Sequence, residues 1–212
     1  MNFSKQIKEG TKASHTMAEN TGFVKNFLAG MVNEESYRGL IANFYFVYRA
    51  LEEEVDKNKS NPVVSPIAFD ELRRTPTLAK DCEYFYGPMW RDVISPTDGC
   101  QNYINRIRDI DPELLVGHHY TRYLGDLSGG QILKNIAKKA LNLKDDGLAF
   151  YDSNGTNQSD IHIDGGQYGG DIMGSTDGGN STSTPQRYGI AALNNDKYDR
   201  VTINNVDCTG NR

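Results

Sequence analysis

Gly125-Asp126-Leu127-Ser128-Gly129-Gly130-Gln131 places three glycines and a carboxylate inside a segment whose flanks read as helix. Each glycine costs a helix interior roughly 0.8–1 kcal/mol relative to alanine, so something must offset the loss. Gly125 and Gly129 fall one turn apart on the same helical face, where backbone without a Cβ can lie close against a flat partner. The glycines alone leave three readings open: a ligand, a closely packed helix, or a simple kink.

Working outward, Leu114 and Leu115 before the cluster and Ile132, Leu133, Ile136 and Leu141 after it carry helical character on both sides. Asp111-Pro112 reads as N-cap and first helical residue of that stretch. Upstream, Tyr103, Ile104, Ile107 and Ile110 mark a further helical stripe, and Thr77 to Tyr86 a shorter one. Asn33 is a candidate N-cap for a long amphipathic helix, because Tyr37, Leu40, Ile41, Phe44, Tyr48, Leu51 and Val55 recur every three or four residues. Strand-like alternation is nearly absent before residue 152, so the spacing predicts an all-α fold for residues 1–152.

Composition then changes abruptly. Ser153 to Arg212 are 60 residues with 10 Gly, 8 Asn, 7 Asp, 5 Ser and 6 Thr and no Phe, Trp or Glu, which are turn residues rather than helix formers. The expected organisation is a helical domain over 1–152 and a Gly/Asn/Asp-rich C-terminal tail over 153–212. Ile161-His162-Ile163-Asp164-Gly165-Gly166 and Val201-Thr202-Ile203-Asn204-Asn205-Val206 read either as short rungs of a parallel β-solenoid or as disordered chain.

Formal charge is −5 over 212 residues, which disfavours nucleic-acid binding through a broad basic surface. Cys82, Cys100 and Cys208 form no CxxC pair and leave an odd count, so neither a disulfide framework nor a cysteine zinc site is expected. The first residues lack an apolar signal core, and no run nears the roughly 18 apolar residues of a membrane span. The expectation is a soluble, cytoplasmic chain with no membrane partner.

A second anomaly lies in the first helical segment, where Lys8, Lys12, His15 and Glu19 step by four, three and four residues along one face. A neutral imidazole can ligate a metal through one nitrogen while the other donates to a carboxylate, and flanking ammonium groups can hold the acidic substituents of a ligand. The pattern alone equally suits a solvated charged face. His118 and His119 are competing ligands, but adjacent helical residues point about 100° apart and do not readily share one metal. Leu127 to Gln131 also spell LSGGQ, the signature of ABC-type ATPases. Such a domain needs a G-x-x-x-x-G-K-[ST] phosphate loop, and none occurs here, so that reading is rejected.

Lys8-Glu9-Gly10-Thr11-Lys12-Ala13-Ser14-His15-Thr16-Met17-Ala18-Glu19, together with Tyr120-Thr121-Arg122-Tyr123-Leu124 running into the glycine cluster, resembles the two hallmark segments of heme oxygenases, in the right order. Asn43 to Glu54 and Tyr84-Phe85-Tyr86-Gly87 also resemble the biliverdin-forming enzymes of cyanobacteria and algae. The resemblance implies an all-α heme oxygenase-like fold over residues 1–152. It implies His15 as axial iron ligand and a kinked distal helix carrying Gly125, Gly129 and Gly130 against the porphyrin. Asp126 would anchor a water network for proton delivery, supported by Arg122, and Tyr120 and Thr121 would line the distal side. Glu19 would partner the proximal histidine, with Lys8 and Lys12 near the propionates.

The implied reaction converts heme, O2 and external electrons to biliverdin, CO and Fe2+, with heme as both substrate and cofactor. The sequence holds no flavin or nicotinamide fingerprint, so the resemblance points to reduced ferredoxin as electron donor. After Gly147-Leu148-Ala149-Phe150-Tyr151 the family normally continues through further helices, including a basic, tyrosine-containing segment, and none is recognisable in this sequence. The alternative reading is a non-catalytic heme-binding protein, or a chimeric remnant without the pocket-closing helices.

Overall fold

The computed structural model describes residues 3–144, 146–152, 162–166 and 202–206. The chain divides into two units, Asn26–Asn157 and Met1–Lys25 with Gln158–Arg212.

The first unit is built on α3 (Glu34–Lys57), which begins where the sequence places it. The Asn33 side chain accepts from the Ser36 amide at 2.8 Å, and Glu34 and Glu35 put negative charge on the first turn. Its apolar stripe is buried as the spacing predicts: Tyr37, Ile41, Tyr48 and Leu51 are all fully enclosed. Against it pack α4 (Thr75–Tyr86) and α6 (Asp98–Asp109). The short α5 (Trp90–Val93) lies between these two in sequence, and its Trp90 meets Tyr45 of α3 edge to face at 4.7 Å.

Helix α4 has no cap of its own, since Arg74 occupies the N-cap position without a side-chain bond. A buried carboxylate from α3 takes that role: Glu52 Oε1 accepts from the Arg74 amide at 2.6 Å and the Thr75 amide at 3.2 Å. Thr97 caps α6 through its hydroxyl, which accepts from the Cys100 amide at 3.3 Å.

The stretch that opened the reading is one helical run with an irregular middle. It comprises α7 (Leu115–His119), a π-helical turn (Tyr120–Leu124) and α8 (Gly125–Ala140). Two expectations are corrected here. Asp111 starts only a 3-10 turn (Pro112–Leu114) and makes no capping bond through its side chain. The departure from α geometry falls at Tyr120–Leu124 rather than at the glycines, and Gly125 itself is right-handed helical at φ −58 and ψ −45. A π turn is a common irregularity of helices at functional sites, and it relieves Gly125 of any need to bend the chain.

A further 3-10 turn, Ala149–Tyr151, closes this unit against α4 and α8. Gly147, just before it, has φ +79, and a Cβ there would stand 2.8 Å from both Phe85 Cζ and Tyr84 Cδ1.

In the other unit, α1 (Phe3–Glu19) is the expected first helix, and α2 (Gly22–Leu28) spans the division between the units. Two strands, β1 (His162–Gly166) and β2 (Thr202–Val206), pair in parallel with Ile163 opposite Ile203. These are the two segments whose alternation reads as solenoid rungs. The remainder of that expectation lies outside the described residues. Among the described residues no helix is long and apolar enough to cross a membrane.

Gly147→Ala combines a strained φ with a ring clash and should lower stability by about 2–4 kcal/mol. A chemical denaturation midpoint with unchanged m-value checks this.

Candidate active site

The π turn and the start of α8 bring Arg122 and Asp126 together. Arg122 Nη2 lies 3.7 Å from Asp126 Oδ1, one turn further along, which is charge contact beyond hydrogen-bond range. The guanidinium rests on an aromatic platform from α3, with its carbon 4.9 Å from the Phe44 ring centre and 5.5 Å from that of Tyr48. Burial works against both charges: it raises the Asp126 carboxyl well above the usual carboxylate range and lowers the Arg122 guanidinium. Asp126 is thereby biased toward its protonated form. Asp126 Oδ2, Arg122 Nε and the Tyr48 hydroxyl are buried without hydrogen-bond partners among the described residues. Buried polar groups in that condition are normally met by ordered water or a ligand.

The three glycines divide into two kinds. Among the described residues a Cβ at Gly125 or Gly129 would meet nothing within 4 Å, so both positions have room where a side chain would stand. At Gly130 it would stand 3.3 Å from Tyr151 Cδ1. Gly130 therefore admits the Tyr151 ring against the helix, and the close-packing reading holds for it. Tyr120 is half-buried, and Thr121 turns its hydroxyl back onto the Gly117 carbonyl at 2.9 Å.

On α1, His15 Nδ1 lies 3.5 Å from Glu19 Oε1, and the imidazole side chain is 72% exposed. A carboxylate beside Nδ1 favours the tautomer with its proton there, which puts the imidazole lone pair on Nε2. Lys12 is exposed on the same helix, and the Lys8 side chain lies outside the described residues. Among the described residues no group of three or more His, Cys, Asp or Glu could hold a metal.

The sequence model described as Heme oxygenase matches residues 1–162. This chain belongs to the heme oxygenase family. It is 58% identical to a heme oxygenase of Porphyra purpurea over 151 residues, covering 69% of this chain and 64% of that protein. Heme oxygenase 1 of a Nostoc species is 55% identical over 155 residues, covering 71% and 65%. The chain thus spans a little under two thirds of the length of these curated relatives. Among solved structures, heme oxygenase-1 from Synechocystis in complex with heme superposes with a TM-score of 0.68 at 54% identity, covering 71% of this chain and 70% of that one.

Within this heme oxygenase fold the two other candidate histidines are engaged elsewhere. His118 Nδ1 is 2.8 Å from the Tyr103 hydroxyl. His119 is buried and stacked on Tyr123 at 4.2 Å between ring centres. Sequence reasoning missed Phe44 and Tyr48 as a seat for Arg122, because both fit the apolar stripe of α3 and nothing in their spacing distinguishes a ring that also faces a cation.

Burial lowers His119 to about 4. The folded form therefore keeps it neutral while the unfolded chain protonates it near 6.5, so its contribution is fully present above pH 6.5 and lost as pH falls toward 4. Between those limits the wild type should lose about 3 kcal/mol more than His119→Phe, read from denaturation midpoints at each pH.

Proposed function

We propose that this chain is a heme oxygenase in activity as well as in family, opening heme with O2 and external electrons to biliverdin, CO and Fe2+. The observation that carries this reading is the face of α8, where room for a flat ligand over Gly125 and Gly129 adjoins a buried carboxyl that has one oxygen unsatisfied among the described residues. A flat macrocycle can lie against backbone that has no Cβ, and a proton-bearing group beside it can serve chemistry at the ring. Bound heme supplies the iron that activates O2 and is itself the molecule consumed.

In this reading His15 Nε2 ligates the iron and Glu19 fixes its tautomer, while Lys8 and Lys12 receive the propionates. Asp126 holds a proton for transfer through water, and Arg122 fixes its carboxyl from one turn away. Tyr120 and Thr121 shape the distal side, and Gly130 serves by keeping Tyr151 close. Residues 1–152 carry this chemistry, and 153–212 are a tail of different composition. With no flavin or nicotinamide fingerprint in the chain, reduced ferredoxin supplies the electrons. The free, buried thiols of Cys82 and Cys100 accord with a reducing, cytoplasmic setting.

Asp126→Ala should retain hemin but slow biliverdin formation by roughly 100-fold or more in a single-turnover assay with reduced ferredoxin; an unchanged yield refutes its role. His15→Ala should abolish the axial-nitrogen signature of the ferric spectrum, whereas an unaltered spectrum reassigns the ligand. Hemin uptake by the wild type with no biliverdin would assign the chain to heme binding without turnover.

A further inference from the structure

We propose that Asp81, on the face of α4 against the turn Ala149–Tyr151, is a positioning residue that fixes Arg122 and Asp126 through that turn. Asp81 is buried, and both its oxygens are committed to successive amides of that turn, Oδ1 accepting from Ala149 N at 2.8 Å and Oδ2 from Phe150 N at 2.7 Å. Arg74 holds the other side of the same turn, with Nη1 donating to the carbonyls of Phe150 at 3.0 Å and Asp152 at 3.1 Å.

What the turn carries gives the clasp its reach. The Phe150 ring packs on Phe44 at 5.2 Å and on Tyr48 at 5.7 Å between centres, and these are the two rings beneath the Arg122 guanidinium. Tyr151 presses on Gly130, and Asp126 is one turn earlier on that face of α8. Asp81 touches neither Arg122 nor Asp126, yet the links between them are charge-assisted bonds and aromatic rings, of which Tyr48, Phe150 and Tyr151 are buried and Phe44 half-buried. A carboxylate suits the task because it accepts on both oxygens, whereas an amide of the same size accepts on one and turns donors toward the second N–H.

The clasp is also pH-sensitive. Burial, the largest influence, together with the charge of Asp152 outweighs the two backbone bonds and Lys134 and raises Asp81 to about 6. Among the described residues Tyr37, Tyr151 and Cys82 also feel its charge. Below that pH one oxygen carries a proton and one amide loses its acceptor.

The inference rests on Arg122 and Asp126 having the distal roles proposed above, so its test separates the mechanical link from the chemistry. In heme-free, isotope-labelled protein, the Nε–H resonance of Arg122, whose guanidinium carbon lies over the Phe44 ring, should move together with the Ala149 and Phe150 amides as pH passes through about 6. Asp81→Asn should displace that resonance and abolish its titration. Phe150→Leu leaves both Asp81 bonds in place, removes the intervening ring, and should displace it equally. An Arg122 resonance unmoved in both folded variants overturns the link. With hemin loaded, Asp81→Asn should bind with unchanged affinity and form biliverdin about 10- to 100-fold more slowly; undiminished turnover overturns the positioning role. Absence of biliverdin from the wild type itself would refute the proposed function and leave the resonance result standing.

Discussion

One carboxylate oxygen, Glu52 Oε1, ties together the three elements that matter here. Besides the two amides that start α4, it accepts from the Tyr123 hydroxyl at 3.1 Å, and Tyr123 belongs to the π turn. A buried anion is tolerated only when its lone pairs are met, and three donors meet this one. Stripping any of them leaves a buried group unsatisfied at about 1–3 kcal/mol. The constraint also works outward: α3, the start of α4 and the irregular turn before α8 must hold a common geometry, or the charge is stranded.

Around that anchor, aromatic residues rather than ion pairs give the first unit its interior. Tyr37, Tyr48, Trp90, Phe150 and Tyr151 are all buried, and their rings meet mostly edge to face. Such contacts are directional as well as apolar, so they fix angles between helices that aliphatic packing would leave looser. The salt bridges, by contrast, lie mainly at the surface, as in Arg73 with Asp56 and Asp70, where each contributes little.

The sequence made much of this legible. The stripe from Tyr37 to Val55 repeats at helical spacing over many turns, and the Asn33 cap is a local signal, so α3 could be placed almost to the residue. Glycines against the helical grain pointed to α8, and the family hallmarks pointed to His15 and Asp126. Other features depended on contacts distant in the chain. The cap of α4 comes from Glu52, 22 residues upstream of Arg74, and no local pattern announces it. Gly130 could not be told from Gly125 or Gly129, because the distinction is made by Tyr151, which arrives from beyond the helix. Asp81 reads in sequence as an ordinary polar residue of a helix, and only the return of the chain at Ala149 and Phe150 shows what it holds. The π turn leaves no compositional mark at all.

That turn has a consequence for how this segment tolerates change in length. A π turn takes up one more residue than the α turn it replaces, and one residue in an α-helix amounts to a rotation of about 100°. Deleting a single residue from Tyr120 to Leu124 could therefore be absorbed as regular α-helix with α8 kept in nearly its present phase, whereas forcing all five residues into regular α-helix would swing α8 by about 100° and direct a different set of side chains at the Phe44–Tyr48 platform. The irregularity thus acts as a phase slip that lets one continuous rod present two faces chosen independently, one upstream and one downstream of the joint.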